Sequence, residues 1–364
     1  MNLRALSIGS ASALVVAGLF VSLPASAAET TCQGQAVTIA ATADGQEIEG
    51  TNGPDVISAA GFDDVEIDAS GGADLVCAGR RSILAFPGAT AGVQIDLAAG
   101  TVVDGGETDT VIGFHRASGT AYHDTFVGTS GDDSYTSYTD YAVDPNATDG
   151  DIVETGDGDD DVSAFGGEID LGPGDDRGKV VRGAVQGGTG DDQVAVVMDG
   201  TARGGPGDDV VTGGVDAEEL GHGYADDRLE LIGGPGRDEF TQPGVSAQAD
   251  NYCPAFCAHA DIAGGSGRDT FMIGSYRGVV DLEAGRARTK NARSELSSIE
   301  HVVGGPRSDV IRGDGGRNHF DGGPGDDVLV GRGGDDILHG GKGHDRADGG
   351  RLLDRCDAEV EVSC

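Results

Sequence analysis

The sequence predicts an all-β fold, in which short strands wind into a right-handed parallel β-helix or β-roll joined by Gly-rich turns. Three observations predict it. Glycine recurs every nine residues over 304–357, and an apolar residue recurs with the same period. Farther upstream, Gly-Asp-Asp turns recur every 16 or 17 residues. Periods of this kind are typical of solenoids, whose coils pack on one another, and strand crossovers between parallel strands are right-handed.

The C-terminal block consists of six consecutive nonapeptides, which begin at Gly304, Gly313, Gly322, Gly331, Gly340 and Gly349. Their sixth positions are polar: Asp309, Asn318, Asp327, Asp336, Asp345 and Asp354. Their eighth positions are Ile311, Phe320, Leu329, Leu338, Ala347 and Cys356. Each apolar eighth residue is expected to begin a short strand and to point inward.

This pattern resembles the nonapeptide Gly-Gly-x-Gly-x-Asp-x-(apolar)-x of the hemolysin-type, or repeats-in-toxin (RTX), calcium-binding proteins. The resemblance implies two nonapeptides per coil and calcium ions between loops that stack on one edge. Carried over here, one edge would hold Asp309, Asp327 and Asp345. The other would hold Asn318, Asp336 and Asp354. Asn318 departs from the pattern, because its ligand oxygen is neutral and its site should be weaker.

Calcium takes about 6–8 oxygen ligands, and a Gly-rich turn can supply backbone carbonyls beside the aspartate. The resemblance therefore also implies carbonyl ligands from the loop glycines Gly304, Gly322, Gly323, Gly325, Gly331, Gly334, Gly340, Gly341 and Gly343.

Further predicted calcium loops lie upstream of this block. Complete or near-complete units place Asp55, Asp124 and Asp133 at the sixth position. The middle of the chain carries one Gly-rich loop per coil, which predicts a column on a single edge: Asp160, Asp176, Asp192 and Asp209. Two more loops contain Asp238 and Asp269. Together these loops predict a chain that binds about 6–10 calcium ions.

The same middle register predicts inward-facing ladders of apolar side chains. Phe165, Val181 and Val197 would stack in one ladder, with Ile169 and Val185 beside them. Tyr135 is also expected to point inward, at the start of an aromatic loop. A basic stripe of Arg286, Arg288 and Lys290 is expected on an outer strand face.

A long-range duplication suggests one architecture throughout, because residues 94–100 align with 279–285 at an offset of 185. The expected organisation is a signal peptide over 1–27, an N-terminal repeat block over 28–80 and a central solenoid over 81–303. Insertions are expected at about 134–150, 215–230 and 241–260. A C-terminal nonapeptide block and cap would occupy 304–364. These parts are expected to form one continuous solenoid.

The leader predicts secretion. Arg4 is followed by a largely apolar run, and Ala25-Ser26-Ala27 is a small-residue cleavage site, typical of a Sec-type signal peptide. No later segment is apolar enough to suggest a membrane span. The formal net charge is −39, which excludes a nucleic-acid-binding role.

Six cysteines in an oxidising compartment are expected to pair. Proximity in the sequence favours Cys32–Cys77, Cys253–Cys257 and Cys356–Cys364. An alternative for the middle pair is a zinc site that includes His259.

Motifs for catalysis are missing from the sequence. It contains neither His-Glu-x-x-His nor Gly-x-Ser-x-Gly, so a metzincin-type protease or a lipase is not indicated. The favoured interpretation is a non-enzymatic extracellular calcium-binding protein that folds on calcium binding. It would serve as a structural or adhesive surface component, with a cell-surface glycan or protein as partner. The alternative is a calcium-dependent β-helix lyase or epimerase that acts on an acidic polysaccharide.

Overall fold

A computed structural model describes residues 31–137, 150–215, 228–245, 258–290 and 292–364. These residues contain 37 short strands, numbered here β1 to β37 along the chain, and no helix. Most strands belong to two long sheets, and the first two, β1 (Thr31–Cys32) and β2 (Gln35–Ala36), form a small antiparallel pair. The predicted all-β solenoid is confirmed.

Sheet 1 contains 15 strands, all paired in parallel. In spatial order they are β4 (Glu47–Glu49), β6 (Glu66–Asp68), β8 (Ile83–Leu84), β12 (Arg116–Ser118), β14 (Ser134–Thr136), β16 (Asp161–Phe165), β18 (Arg177–Val181), β20 (Gln193–Val197), β22 (Val210–Val215), β24 (Glu239–Val245), β26 (Thr270–Met272), β30 (His301–Val303), β32 (His319–Asp321), β34 (Ile337–His339) and β36 (Arg355–Asp357).

Sheet 2 contains 20 strands and is parallel except at two places. In spatial order they are β3 (Ile39–Ala40), β5 (Val56–Ser58), β7 (Leu75–Cys77), β11 (Glu107–Ile112), β10 (Thr101–Asp104), β9 (Gln94–Asp96), β13 (Thr125–Val127), β15 (Ile152–Glu154), β17 (Glu168–Asp170), β19 (Ala184–Gln186), β21 (Gly200–Arg203), β23 (Arg228–Gly236), β25 (Ala258–Gly267), β29 (Ala292–Ser297), β28 (Arg286–Arg288), β27 (Val279–Asp281), β31 (Val310–Arg312), β33 (Val328–Val330), β35 (Arg346–Asp348) and β37 (Val360–Val362).

The core is a single hydrophobic cluster that receives side chains from both sheets. The three-residue strands from β4 to β35 turn their middle residue inward, as strand alternation requires, whereas the middle residue of β37, Glu361, is exposed. Phe320 and Leu329, both eighth-position residues, are fully buried. The predicted inward orientation of the eighth position is confirmed from Ile311 to Ala347, whereas Cys356 at the end is only partly buried.

Coil length follows the number of Gly-rich loops per coil. In the C-terminal block Val310 pairs with Val328, so one coil takes 18 residues and contains two nonapeptides. In the middle Asp161 pairs with Arg177, 16 residues later. The shorter coil arises because its second turn is reduced to a tight pair such as Gly166-Gly167, both with positive φ. The middle coils therefore keep one Gly-rich loop each, as predicted.

The duplicated segments fold in the same way. In each copy three strands run antiparallel within sheet 2, β9–β10–β11 in the first and β27–β28–β29 in the second. Asp96 and Asp281 occupy matching turns and accept the N–H groups of Ala99 and Ala284. These hairpins interrupt the parallel order that the period predicts.

One predicted ladder was wrong by one residue. Phe165, Val181 and Val197 do stack in register, but Phe165 and Val197 are only partly buried. The core ladder on these strands is Ala164, Val180 and Val196. The ladder of Ile169 and Val185 is buried as predicted, and so is Tyr135. Arg286 and Arg288 lie on the exposed face of β28, on either side of buried Ala287.

Strands extend into each of the three predicted insertions. Residues 134–136, 228–230, 241–245 and 258–260 are strand residues of the coils, so the predicted bounds were too wide. The central residues of these segments lie outside the described residues, as do 1–27.

Two of the three expected disulfides lie in the described part of the chain. Cys32 is bonded to Cys77, and Cys356 to Cys364. Cys253 and Cys257 fall outside the described residues. In the ranges that the structure describes, no helix is long and apolar enough to cross a membrane.

Candidate metal centre

Acidic residues line both edges of the solenoid, each lying at the start of a strand. The first edge precedes the strands of sheet 1 and holds Asp133, Asp160, Asp176, Asp192, Asp209, Asp238, Asp269, Glu300, Asn318, Asp336 and Asp354. The second edge precedes the strands of sheet 2 and holds Asp55, Asp74, Asp109, Asp124, Asp151, Asp309, Asp327, Asp345 and Glu359; Asp109 lies within β11.

Hydrogen bonds link these acids from coil to coil. The backbone N–H of Asp160 donates to Oδ1 of Asp176 at 2.8 Å, and that of Asp176 donates to Oδ1 of Asp192 at 2.9 Å. On the second edge, the N–H of Asp327 donates in the same way to Oδ1 of Asp345 at 2.8 Å. The contact recurs where long segments intervene, since the N–H of Asp209 reaches Oδ1 of Asp238 at 3.1 Å. One oxygen of each carboxylate thus holds the preceding coil in register.

The other oxygen is left without a partner in most loops. In the described part of the chain, eleven loop aspartates have a buried Oδ2 atom that makes no hydrogen bond: Asp74, Asp160, Asp176, Asp192, Asp209, Asp238, Asp269, Asp327, Asp336, Asp345 and Asp354. A buried charged oxygen without a partner is costly, and stacked carboxylates also repel each other. Such columns therefore require a cation or protons.

The pKa values of these carboxyl groups are shifted accordingly. Burial, followed by the charges of neighbouring aspartates, raises the pKa of Asp176 and Asp238 to about 7. The same causes raise the pKa of Asp209 and Asp327 to about 6. Without a cation, the ionised form of each group is therefore less favourable than that of an ordinary aspartate.

A second ladder of aspartates runs beside the first edge, on the solvent side. Asp159, Asp175, Asp191 and Asp208 are exposed fifth-position residues of successive loops. The N–H of Asp175 donates to Oδ1 of Asp159, and that of Asp191 to Oδ1 of Asp175, at 3.1 and 2.9 Å. The inner and outer ladders together concentrate negative charge at this edge, which favours cation binding.

The loop backbones approach too closely for any side chain. A Cβ atom at Gly190 would lie 1.9 Å from the carbonyl oxygen of Gly174, and one at Gly207 would lie 1.7 Å from that of Gly190. Both glycines have positive φ. Carboxylate and carbonyl oxygens thus gather between coils, and oxygen donors of this kind are what calcium prefers. The residues present fit a calcium ion.

Comparison with known proteins agrees with this chemistry. The family model for the RTX calcium-binding nonapeptide repeat matches four segments, residues 118–134, 199–220, 297–329 and 321–352. The chain carries RTX calcium-binding nonapeptide repeats. No curated protein matches the chain. Calcium is the ligand that RTX repeats bind, so the aspartate columns and their loop glycines are the candidate calcium sites.

The structure places the predicted RTX aspartates in the two columns. The predicted ligands differ, however, in whether both side-chain oxygens have hydrogen-bond partners. Asp309, Asp327 and Asp345 stack on the second edge, and Asn318, Asp336 and Asp354 on the first. Unlike the eleven, the predicted ligands Asp55, Asp124, Asp133 and Asp309 have both carboxylate oxygens engaged in hydrogen bonds. In Asn318 the side-chain oxygen accepts the N–H of Asp314.

The predicted loop glycines of the RTX block have two structural roles. Gly323, Gly334, Gly341 and Gly343 have positive φ. A Cβ atom at Gly304, Gly322, Gly331 or Gly340 would collide with the sixth-position carboxylate or with a carbonyl of the next coil, and one at Gly325 would collide with the backbone of Arg307.

Sequence reasoning did not assign several acids that belong to the columns. The N–H of Asp269 donates to Oε2 of Glu300, and that of Asp345 to Oε2 of Glu359. Asp74, Asp109 and Asp151 accept N–H groups on the second edge. Glu300 lies one 18-residue coil before Asn318, and this spacing could have identified it.

Away from the RTX loops, the described residues contain one further group of side chains with metal-ligand chemistry. The ligand atoms of His259, Asp261 and Glu295 lie within 4.8 Å of one another. The guanidinium of Arg228 already donates to Asp261, from Nε at 2.8 Å. Because this guanidinium already pairs with Asp261, we do not assign the cluster as a metal site.

Proposed function

We propose that this protein is an extracellular calcium-binding solenoid whose folding is coupled to the ion. The observation that carries the proposal is the set of eleven buried, unpartnered carboxylate oxygens on the two edges. Calcium between successive loops would bind these oxygens together with backbone carbonyls, and it would neutralise the charge that stacking brings together.

The charge of the chain supports coupling between binding and folding. A formal net charge of −39 favours an expanded chain before calcium binds. The sites require loops from different coils, so they do not exist in the unfolded chain. The free energy of ligation therefore becomes free energy of folding. About 6–10 ions would occupy the columns.

The disulfides support an oxidising location. Cys32–Cys77 ties the first strand to the third coil strand of sheet 2, and Cys356–Cys364 closes the last coil. Structural disulfides of this kind are typical of secreted proteins. We propose that the folded rod is a structural or adhesive component of a cell surface or matrix, with a glycan or protein as its partner.

The test is a calcium titration of the purified protein, followed by circular dichroism, with magnesium as the control. Magnesium requires near-octahedral geometry and gives up its water reluctantly, so it should substitute poorly. A cooperative rise of β-structure with calcium alone is expected. Full β-structure in chelator, unchanged by calcium, would contradict the coupling.

One observation keeps an enzymatic alternative open, a β-helix lyase or epimerase that acts on an acidic polysaccharide. A cavity of about 270 Å³ is lined by Arg268, Arg317, His301 and His319, together with the column residues Glu300 and Asn318. Burial lowers the pKa of His301, which favours a neutral imidazole that could act as a base. Incubation of the calcium-loaded protein with a polyuronate, followed by proton NMR, tests this alternative. Unchanged polymer would leave the structural role.

A further inference from the structure

The loops of the two edges adopt two conformations, which differ at the residue four positions before the acid. We call this the second-position residue. It has positive φ in the loops of Ser70, Gly156, Gly172, Gly188, Gly205, Gly234, Gly265, Gly323, Arg332, Gly341 and Gly350. The acids of these loops are the eleven aspartates whose Oδ2 atom lacks a partner. We call these loops open.

In five other loops the second-position residue does not have positive φ, and these we call closed. Its N–H donates to the side-chain oxygen of the sixth-position residue of the same loop. The second-position residues are Thr51, Thr120, Thr129, Gly305 and Asp314, and the acceptors are Asp55, Asp124, Asp133, Asp309 and Asn318. Among these sixteen loops, the conformation at one residue thus separates open from closed; the column acids Asp109, Glu300 and Glu359 do not belong to either group.

Threonine strengthens the closed conformation. The hydroxyl of Thr51 donates to Oδ2 of Asp55 at 2.8 Å, and that of Thr129 donates to Oδ2 of Asp133 at 2.9 Å. Thr120 does the same for Asp124, through Oδ1 at 2.8 Å. A β-branched residue also disfavours positive φ strongly, so threonine resists the open conformation on steric grounds.

In open loops with glycine at the second position, the open conformation leaves no room for a side chain, although Ser70 and Arg332 show that other open loops accept one. A Cβ atom at Gly188 would lie 1.7 Å from the carbonyl oxygen of Gly172 in the preceding coil, and one at Gly341 would lie 2.2 Å from that of Gly323. Turning the second-position residue to positive φ removes its N–H from the carboxylate. The carboxylate then keeps a buried oxygen that only a cation or a proton can satisfy.

We propose that the backbone conformation of the second-position residue decides which loops bind calcium: open loops bind the ion, and closed loops replace it with their own N–H group and, at the three threonines, with the hydroxyl as well. This inference rests on the proposed calcium binding and adds to it a rule for individual loops. The nonapeptide pattern has glycine at position two. The conformation at this position would then determine which loops bind calcium.

The rule divides the solenoid into segments with different dependence on calcium. Open loops form one uninterrupted block on the first edge from Gly156 to Asp269, and a second block from Gly323 to Asp354. The closed loops of Gly305 and Asp314 separate the two blocks. In residues 31–137, the only open loop described is that of Asp74, so this part should hold its coils with little help from calcium.

The decisive variant is Thr129→Gly. Its loop adjoins the first block, because the N–H of Asp133 donates to Oδ1 of Asp160 at 2.7 Å. His115 contacts Oδ1 of Asp133, so Oδ2 is the atom that the change frees. Thr129→Ser is the matched control, since it keeps both the N–H and the hydroxyl.

Bound calcium is measured by equilibrium dialysis and atomic emission on the full chain. We expect Thr129→Gly to bind an additional equivalent of calcium relative to the wild type, and Thr129→Ser to match the wild type. An unchanged calcium count in Thr129→Gly would overturn the rule while leaving calcium binding intact. A wild-type chain that binds no calcium would instead overturn the proposed function.

Hydrogen exchange of the wild type gives a second readout that does not depend on the folding of a variant. Peptides from 119–137 should be protected in chelator and change little with calcium. Peptides from 323–354 should exchange quickly in chelator and gain protection with calcium. Equal gains in both regions would contradict the division into closed and open loops.

Discussion

The backbone N–H of Asp176 donates to Oδ1 of Asp192, one coil later, while Oδ2 of Asp192 is buried without a partner. One carboxylate therefore has two separate tasks. Its first oxygen sets the register between coils through a protein hydrogen bond. Its second oxygen lacks any protein donor, so only a cation or a proton can satisfy it. This division of tasks recurs along both edges and leads to four predictions.

Replacing Asp192 with asparagine should have opposite effects with and without calcium. Asp192→Asn keeps an oxygen that can accept the N–H of Asp176 but removes a buried charge. In calcium, the midpoint of folding should move to an ion concentration on the order of tenfold higher, because a charged ligand is lost. In chelator, the variant should be more stable than the wild type. Calcium titrations and urea unfolding measure both effects.

Asp191→Asn is the matched control for this prediction. Asp191 carries the same charge one residue earlier, but its side chain is exposed on the outer ladder. Screening by solvent should make its effect much smaller. Equal shifts for the two variants would show that overall charge, and not ligation by the inner column, controls calcium affinity.

Loss of a carboxylate should be most damaging in the C-terminal block, where both edges carry loops in every coil. Asp327→Ala and Asp345→Ala should each lower the calcium-dependent melting temperature more than Asp238→Ala. Asp238 belongs to a region with loops on one edge only, and its neighbours Asp209 and Asp269 are separated from it by long segments. Differential scanning calorimetry in calcium compares the three variants, and equal losses would count against this ranking.

The hydroxyl of Tyr135 lies between two column acids and serves in place of an ion. It donates to Oδ2 of Asp151 at 2.9 Å and lies 3.3 Å from Oδ2 of Asp124. Burial and these two carboxylates raise the pKa of Tyr135 far above its usual value, so the hydroxyl keeps its proton. Tyr135→Phe should therefore destabilise the protein by about 1–3 kcal/mol, with or without calcium.

Urea unfolding in calcium and in chelator measures this loss. Tyr122→Phe is the control, because the Tyr122 side chain is exposed and should tolerate the change. A loss that appears only in chelator would mean that calcium can take the place of the hydroxyl between Asp124 and Asp151.

Acid should partly replace calcium in the metal-free protein. Burial raises the pKa of Asp176 to about 7 and that of Asp192 to about 6 in the folded state, from 3.8. A raised folded-state pKa means that the folded state binds protons more tightly than the unfolded state. The penalty on folding is therefore complete above about pH 7 and disappears as the pH falls towards 3.8. In chelator, β-structure should increase as the pH is lowered from about 8 to about 5.

With calcium present, the same titration should have the opposite sign. Protons compete with the ion for the carboxylates, so the calcium midpoint should rise as the pH falls through this window. Circular dichroism across a series of pH values, with and without chelator, follows both trends. If acid destabilised the metal-free protein, the raised pKa values in the columns would be contradicted.

Much of the architecture is determined by the sequence itself. A nine-residue period in glycine, aspartate and an apolar residue leads directly to stacked coils, because each repeat can bury its apolar residue only against the next. The columns of Asp309, Asp327 and Asp345 follow from the same period, and so does the single loop per coil in the middle. The spacing along the chain is sufficient here because repeats of equal length place equivalent residues on top of one another in successive coils.

Where the intervals are unequal, the sequence was not sufficient. Asp151 reads as an isolated acid, since the distances to its neighbours vary with long segments, whereas the regular 18-residue spacing from Glu300 to Asn318 could have been recognised. The ladder at Phe165 was placed one residue too late, because the phase of strand alternation depends on the tight turn that follows. The antiparallel strands β10 and β28 are likewise not predicted by the repeat period of the sequence.

Only the tertiary structure decided which carboxylates need an ion. Asp133 and Asp160 occupy the same column and the same position of their loops, yet Oδ2 of Asp133 accepts the N–H and the hydroxyl of Thr129, whereas Oδ2 of Asp160 has no partner. The difference depends on the backbone angle at the second position and on contacts with neighbouring coils. A repeat sequence determines where acids stack, but the hydrogen bonds made after stacking determine which of them remain unsatisfied.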